Sequence, residues 1–206
     1  MSTISPPPVH RIGLSSAGIS LSPDEFDAIE DYDDQFRYEL VHGVLVVHSI
    51  PSEGEAGPNE ELGFLLRLYR DQHPQGAALN ATLPERYVRL VDSRRRADRV
   101  IWAGLGRMPD PAVDVPTIVV EFVSAGRRDW RRDYIEKRQE YLALGVREYW
   151  VIDRFDRKMT VYRPPVDAKN ETVVGEGDVY RSKILPGFEL PLARLLAAAD
   201  AWRDAQ

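Results

Sequence analysis

Two charged side chains occupy positions where charge is costly. From Ile118 to Val123 every residue but Glu121 is apolar, which is how a strand covered on both faces reads. A carboxylate placed there has to be neutral, paired or bound to a cation. Taken as a helix, Asp129 to Leu144 brings Trp130, Tyr134 and Tyr141 into one stripe with Lys137 in its middle. Gly145 closes that helix and EYWVID reads as the next strand. Strand, crossover helix and strand make a right-handed βαβ unit whose helix lies on the sheet, so Lys137 is expected to face the sheet that holds Glu121. Either residue alone has a plain structural reading, as a salt-bridge partner or a lysine extending its amine to water. The two together ask for more.

A third charge joins them. Residues 94–103, RRRADRVIWA, read as a strand that puts Asp98 on the face of Val100 and Trp102, with Arg99 on the face of Ala97 and Ile101. Two acids on neighbouring strands with a lysine nearby are the parts of metal-assisted phosphodiester hydrolysis. The carboxylates supply oxygen ligands for Mg²⁺, the metal acidifies a bound water, and the lysine orients that water or stabilises the phosphorane-like transition state. Other classes use the same residues. A glycosidase would use Asp98 and Glu121 as acid and base, which needs carboxyl groups roughly 5 to 10 Å apart and no metal. A scaffold that only binds nucleic acid or protein would keep the fold without the reaction.

Asp98, Glu121 and Lys137, with the flanking strings AD, VVEFVS and EKRQEY…GVREYWVID, resemble the Uma-two family of restriction-endonuclease-like proteins in the PD-(D/E)XK nuclease superfamily. RYELVHGVLVV resembles that family's opening hairpin and LPGFELPL its closing segment, so the resemblance runs from about Leu21 to Trp202. It implies an α/β fold, a restriction-endonuclease-like mixed β-sheet flanked by helices with an N-terminal β-hairpin extension. It also implies Mg²⁺ dependence, with Mn²⁺ as substitute, and endonucleolytic cleavage of DNA. Asp98 and Glu121 would hold the metal with the backbone carbonyl of Phe122, and Lys137 would position the water. The family's acid on the first hairpin maps onto Glu39, a further catalytic residue and possible metal ligand. The chain departs from the pattern in three places. Ala97-Asp98 stands for Pro-Asp, Val123 occupies the usual lysine position two residues after the glutamate, and Asn59 or Glu60 stands where many relatives carry a histidine. Lys137 fits a lysine migrated to the following helix.

Composition agrees with this frame. The 206 residues suit a single domain over 19–206 behind a flexible Ser-, Pro- and Gly-containing tail over 1–18. The absence of cysteine removes disulfide and zinc-thiolate chemistry. No apolar stretch approaches a membrane span, and MSTISPPPVHRIG lacks the pattern of a signal peptide, which leads to a cytoplasmic protein. The net charge of −6 is uneven: residues 1–85, 86–147 and 148–206 carry −10, +5 and −1. The basic excess, with Arg94, Arg95, Arg96, Arg127, Arg128, Arg131 and Arg132, falls in the segment of Asp98, Glu121 and Lys137, where it could steer DNA or be only a solvated face. Cutting both strands of a duplex would need two sites related by symmetry, hence a homodimer.

The remaining elements are scaffold. Ser22-Pro23-Asp24-Glu25 is a capping box opening a short helix through Phe26 and Ile29. Tyr38 to Val41 and Val44 to His48 form a hairpin across His42-Gly43. Asn59 to His73 is an amphipathic helix with Leu62, Leu65, Leu66 and Tyr69 inward, and Ala78 to Leu90 is one or two strands leading to Asp98, interrupted or edged at Pro84. Strands follow at Met159 to Arg163 and Val179 to Ile184, and a helix at Leu192 to Trp202. No histidine pair has zinc-site spacing, and no phosphate-binding glycine loop or serine-nucleophile motif occurs.

Overall fold

The first hairpin forms around the residues that predict it. The computed structural model describes residues 11–124, 132–165 and 170–202. In it β1 (Phe36–Val41) and β2 (Val44–Ser49) pair antiparallel with Val41 opposite Val44. His42 and Gly43 have φ of 48° and 77°, the left-handed pair that a two-residue type I′ turn requires. Ser22 accepts the N–H of Glu25, the Glu25 carboxylate accepts that of Ser22 at 2.7 Å, and α1 (Pro23–Asp27) starts there. Asp27 at its end is bonded by Arg94 and Arg89. These elements and residues 89–95 make one compact unit over 11–50 and 89–95. Ile12, within the segment expected to be a tail, is 2% exposed and donates its N–H to the carbonyl of Asp31 at 3.0 Å. The first ten residues of that segment lie outside the described ones.

The second compact unit comprises 51–88 and 96 onward. Its sheet runs β4 (Arg94–Ala103), β5 (Ile118–Phe122), β6 (Glu148–Asp153), β7 (Lys158–Tyr162) and β8 (Glu171–Gly175) in spatial order, with β3 (Leu79–Arg89) also on β4. Only the first two residues of β4 belong to the hairpin unit. The pairing of β5 with β6 is parallel, whereas β4 with β5, β6 with β7 and β7 with β8 are antiparallel. The sheet is therefore mixed, as expected, with the parallel pair bridged by the crossover the sequence predicts.

Strand alternation sorts the core into two layers. Ile118, Val120, Phe122, Trp150 and Ile152 pack with Leu62, Leu66 and Tyr69 of α2 (Glu53–Gln72) and with Leu192, Leu195 and Leu196 of α4 (Leu192–Asp200). Val119, Tyr149 and Val151 face the other way, onto Tyr134, Tyr141 and Leu142. Tyr141 and Leu142 belong to α3 (Lys137–Leu144), which follows a π-helical turn at Arg132–Glu136. The first part of the helix expected from Asp129, with Trp130, lies outside the described residues. Ala97 joins the cluster of Val100 and Trp102, so the strict alternation expected along β4 breaks before Asp98.

Other departures have local causes. Helix α2 begins six residues earlier than predicted, because the Glu55 carboxylate accepts the Ser52 N–H at 2.9 Å and makes a start upstream of Gly57 and Pro58. Strand β3 continues through Pro84, with Glu85 at φ 53° absorbing the irregularity. Residues 179–184 supply only a short β9 (Val179–Arg181), paired with β10 (Glu189–Pro191). Among the described residues no helix is long and apolar enough to cross a membrane.

Leu66 is fully buried between α2 and the sheet. Leu66→Ala should cost about 2–5 kcal/mol through lost transfer energy and a residual cavity, read as a lower urea midpoint at unchanged m-value; a loss under 1 kcal/mol would mean this layer is loosely packed.

Candidate functional site

The site begins where β5 ends. The register of β5 on β6 sets Glu121 opposite Val151, so the carboxylate points into the layer of α3, not that of α2 and α4. There the Lys137 ammonium lies 2.9 Å from Glu121 Oε1. The Tyr141 hydroxyl, one helical turn on, donates to the same oxygen at 3.2 Å. Lys137 Nζ also donates to the carbonyl of Arg96 at 3.4 Å. Glu121 is 3% and Lys137 2% exposed, so a full ion pair has been taken out of water and is held by mutual attraction and added hydrogen bonds.

The turn that delivers Lys137 is fixed at its far side. Tyr134 donates its hydroxyl to Asp153 Oδ2 at 3.1 Å, and Asp153 Oδ1 accepts the N–H groups of Phe155 and Asp156. Burial, and then the Asp153 charge, hold the Tyr134 phenol well above its usual range, so it stays a donor. Gly145 at φ 107° ends α3 and returns the chain to β6.

Asp98 has a different environment. The last ladder pair of β4 with β5 is Arg99 with Val120. One step on, the Asp98 side chain takes over, Oδ2 accepting the N–H of Phe122 at 2.7 Å. Of the three predicted residues it alone is partly exposed. Its backbone carbonyl accepts from Asn59 Nδ2 at 2.8 Å, and Asn59 is in turn bonded by Arg99. Neither Tyr141 nor the pairing of Asn59 with Arg99 stood out beforehand. Tyr141 was legible only as part of an apolar stripe, and Arg99 only as a charge sharing a strand face with Ala97 and Ile101.

With this geometry in place, the family described as "Putative restriction endonuclease", Uma2, matches residues 23–193. The chain belongs to the Uma2 family. No curated protein matches it. Among solved structures, this Uma2 member is similar to the crystal structure of "a putative nuclease belonging to DUF820 from Anabaena variabilis". The likeness has a TM-score of 0.69 at 16% identity and covers 87% of this chain and 99% of the other. It establishes the nuclease-like fold.

The metal expectation is overturned. The resemblance implies Mg²⁺, or Mn²⁺ in its place, held by Asp98, Glu121 and the Phe122 carbonyl, with Glu39 as a possible further ligand. Among the described residues of this Uma2 protein, no group of three or more His, Cys, Asp or Glu side chains is placed to hold a metal. The acids are engaged otherwise. Glu121 serves Lys137 and Tyr141, and Asp98 serves the Phe122 amide. Glu39, buried in the hairpin unit, meets Arg95 at 3.5 Å and His48 at 3.6 Å.

The arginine cluster of residues 94–96 is no solvated patch either. Arg94 and Arg95 are 8% and 2% exposed and bond Asp27 and Glu39, while Arg96 bonds Glu85 at 3.0 Å. Arg127, Arg128 and Arg131, and the side chain of Arg132, lie outside the described residues. The acid–base pair of a glycosidase is likewise ill served by a Glu121 that is 3% exposed and bonded to a lysine.

Removing one partner of a buried pair strands the other. Lys137→Met should destabilise the Uma2 fold by about 3–5 kcal/mol, and adding Glu121→Leu should recover most of that loss; equal instability of the double variant in denaturant melts would show that packing, not charge, is at stake. The metal correction is checked apart from activity. Millimolar Mg²⁺ should leave the Tm of the wild-type protein where it was, because a ligand that binds the native state must raise it.

Proposed function

We propose that the protein is an endodeoxyribonuclease that hydrolyses DNA phosphodiester bonds at Asp98, Glu121 and Lys137. The observation that carries the reading is the Glu121–Lys137 contact at 2.9 Å, made between a strand and a helix and buried from water. An apolar pair would fill the same space at lower cost, so the retained charge is assigned to chemistry. Membership of a family described as "Putative restriction endonuclease" and the likeness to a structure described as a putative nuclease support the same class.

In this reading Asp98, the acid with solvent access, accepts a proton from water. The water oxygen forms its bond to phosphorus as the bond to the leaving oxygen breaks in line, the leaving alkoxide takes a proton from solvent water, and Asp98 returns its own proton to solvent. The Lys137 ammonium, 3.4 Å from the Arg96 carbonyl on the strand that carries Asp98, stabilises through its field the negative charge that builds on the phosphate. Glu121 and Tyr141 hold the lysine in that position. DNA is the partner, a homodimer accounts for cleavage of both strands, and the setting is the cytoplasm. A second reading, a nuclease scaffold that binds nucleic acid or protein without cutting, is favoured by one fact. The three charged groups already satisfy one another and the backbone.

Relaxation of supercoiled plasmid, assayed across divalent-cation conditions, separates the two. Asp98→Asn keeps an acceptor for the Phe122 amide and loses the base, so nicking should fall by roughly 10²–10⁴-fold with fold and DNA affinity retained. A wild-type protein that shifts DNA in gels yet never nicks it would leave the binding module standing.

A further inference from the structure

We infer that Asn59, oriented by the buried guanidinium of Arg99, is a positioning residue for Asp98. Arg99 is 1% exposed, and among the described residues it makes no ion pair. Its donors are met by neutral oxygens alone: Nε reaches Asn59 Oδ1 at 2.7 Å, one terminal nitrogen the Asn59 carbonyl at 2.8 Å, the other Thr82 Oγ1 at 3.2 Å. Burial lowers its pKa to about 10, which leaves it charged at neutral pH.

Asn59 is itself 6% exposed. A guanidinium has no acceptor, so the amide oxygen must face Arg99 and the amide nitrogen must face away. That nitrogen donates to the Asp98 carbonyl at 2.8 Å. Asp98 is thereby held at both ends, its carbonyl by Asn59 and its carboxylate by the Phe122 amide. Gly63, one turn along α2, makes the assembly possible, since a Cβ there would come within 2.7 Å of the Arg99 guanidinium.

The choice of residue is informative. An aspartate at position 59 would neutralise a buried cation, which is the cheaper arrangement for the fold. The amide forgoes that gain and supplies what a carboxylate cannot, a donor to Asp98. Stability and positioning are therefore set against each other at this position, and they separate in one isosteric variant.

Asn59→Asp keeps the acceptors for Arg99 and removes the donor to Asp98. Its Tm should stay near that of the wild type, because the ion pair gained with Arg99 is offset by a carboxylate oxygen left facing the Asp98 carbonyl. Exchange of the Phe122 amide with solvent should nevertheless quicken roughly tenfold, the consequence of a loosened hydrogen bond, while the amides of Val120 and Ile152 keep their protection. The kinetic part rests on the hydrolytic reading above: kcat for nicking should fall roughly 10–100-fold with KM for DNA within about twofold. An unchanged Phe122 amide in a well-folded variant overturns the inference, as does exchange that rises uniformly. Should the wild type itself not nick DNA, the hydrolytic reading fails and the exchange comparison alone still decides the positioning. If Asn59→Asp does not fold, Arg99→Lys serves in its place. It gives up the two-pronged grip on Asn59 and should quicken the same single amide.

Discussion

An ion pair with almost no access to water sits on the mixed sheet of this protein, and the fold of the larger unit is arranged around it. Lys137 can reach Glu121 only if β5 and β6 run parallel, if the crossover lays α3 on the Val119, Tyr149 and Val151 face, and if the π-helical turn leads into α3 at the right phase. Each condition has its own support: the parallel register, the aromatic packing of Tyr141 on Tyr149 with ring centroids 5.3 Å apart, and the bond of Tyr134 to Asp153. Desolvating two charges costs several kcal/mol each unless hydrogen bonds complete their shells. Tyr141 and the Arg96 carbonyl do so here.

Much of this was legible in the chain. A single acid in an apolar run and a lysine on an apolar stripe predicted a meeting between Glu121 and Lys137, because a βαβ unit has one handedness and its helix must cover the sheet. The capping box at Ser22 and the His42-Gly43 turn were equally readable, since each depends on residues within a few positions. Long-range features were not. The start of α2 is obscured by Gly54, Gly57 and Pro58, which look like breakers until Glu55 is seen capping Ser52. Strand β8 has three exposed positions among five, so no hydrophobic pattern announces it.

The metal expectation failed for a reason of the same kind. Residue types that suit a cation also suit each other, and spacing along the chain does not say which partner an acid will find. Glu121 found an ammonium, Asp98 a backbone amide and Glu39 a guanidinium and an imidazole. The run Arg94, Arg95 and Arg96 makes the point from the other side, because three adjacent cations that read equally as a surface for DNA or a solvated face are bound by Asp27, Glu39 and Glu85.

The alternation of β5 ties the buried ion pair to register more tightly than any single bond does. Glu121 lies between Val120 and Phe122, both of which face the opposite helices. Insertion or loss of one residue in this strand would invert its two surfaces, send the carboxylate among Leu62, Leu66 and Leu195, and turn the Phe122 ring toward Lys137. The strand therefore cannot slide to a neighbouring alignment without leaving a charge unpaired in an apolar layer. Its sequence length and the placement of its one charge change together or not at all.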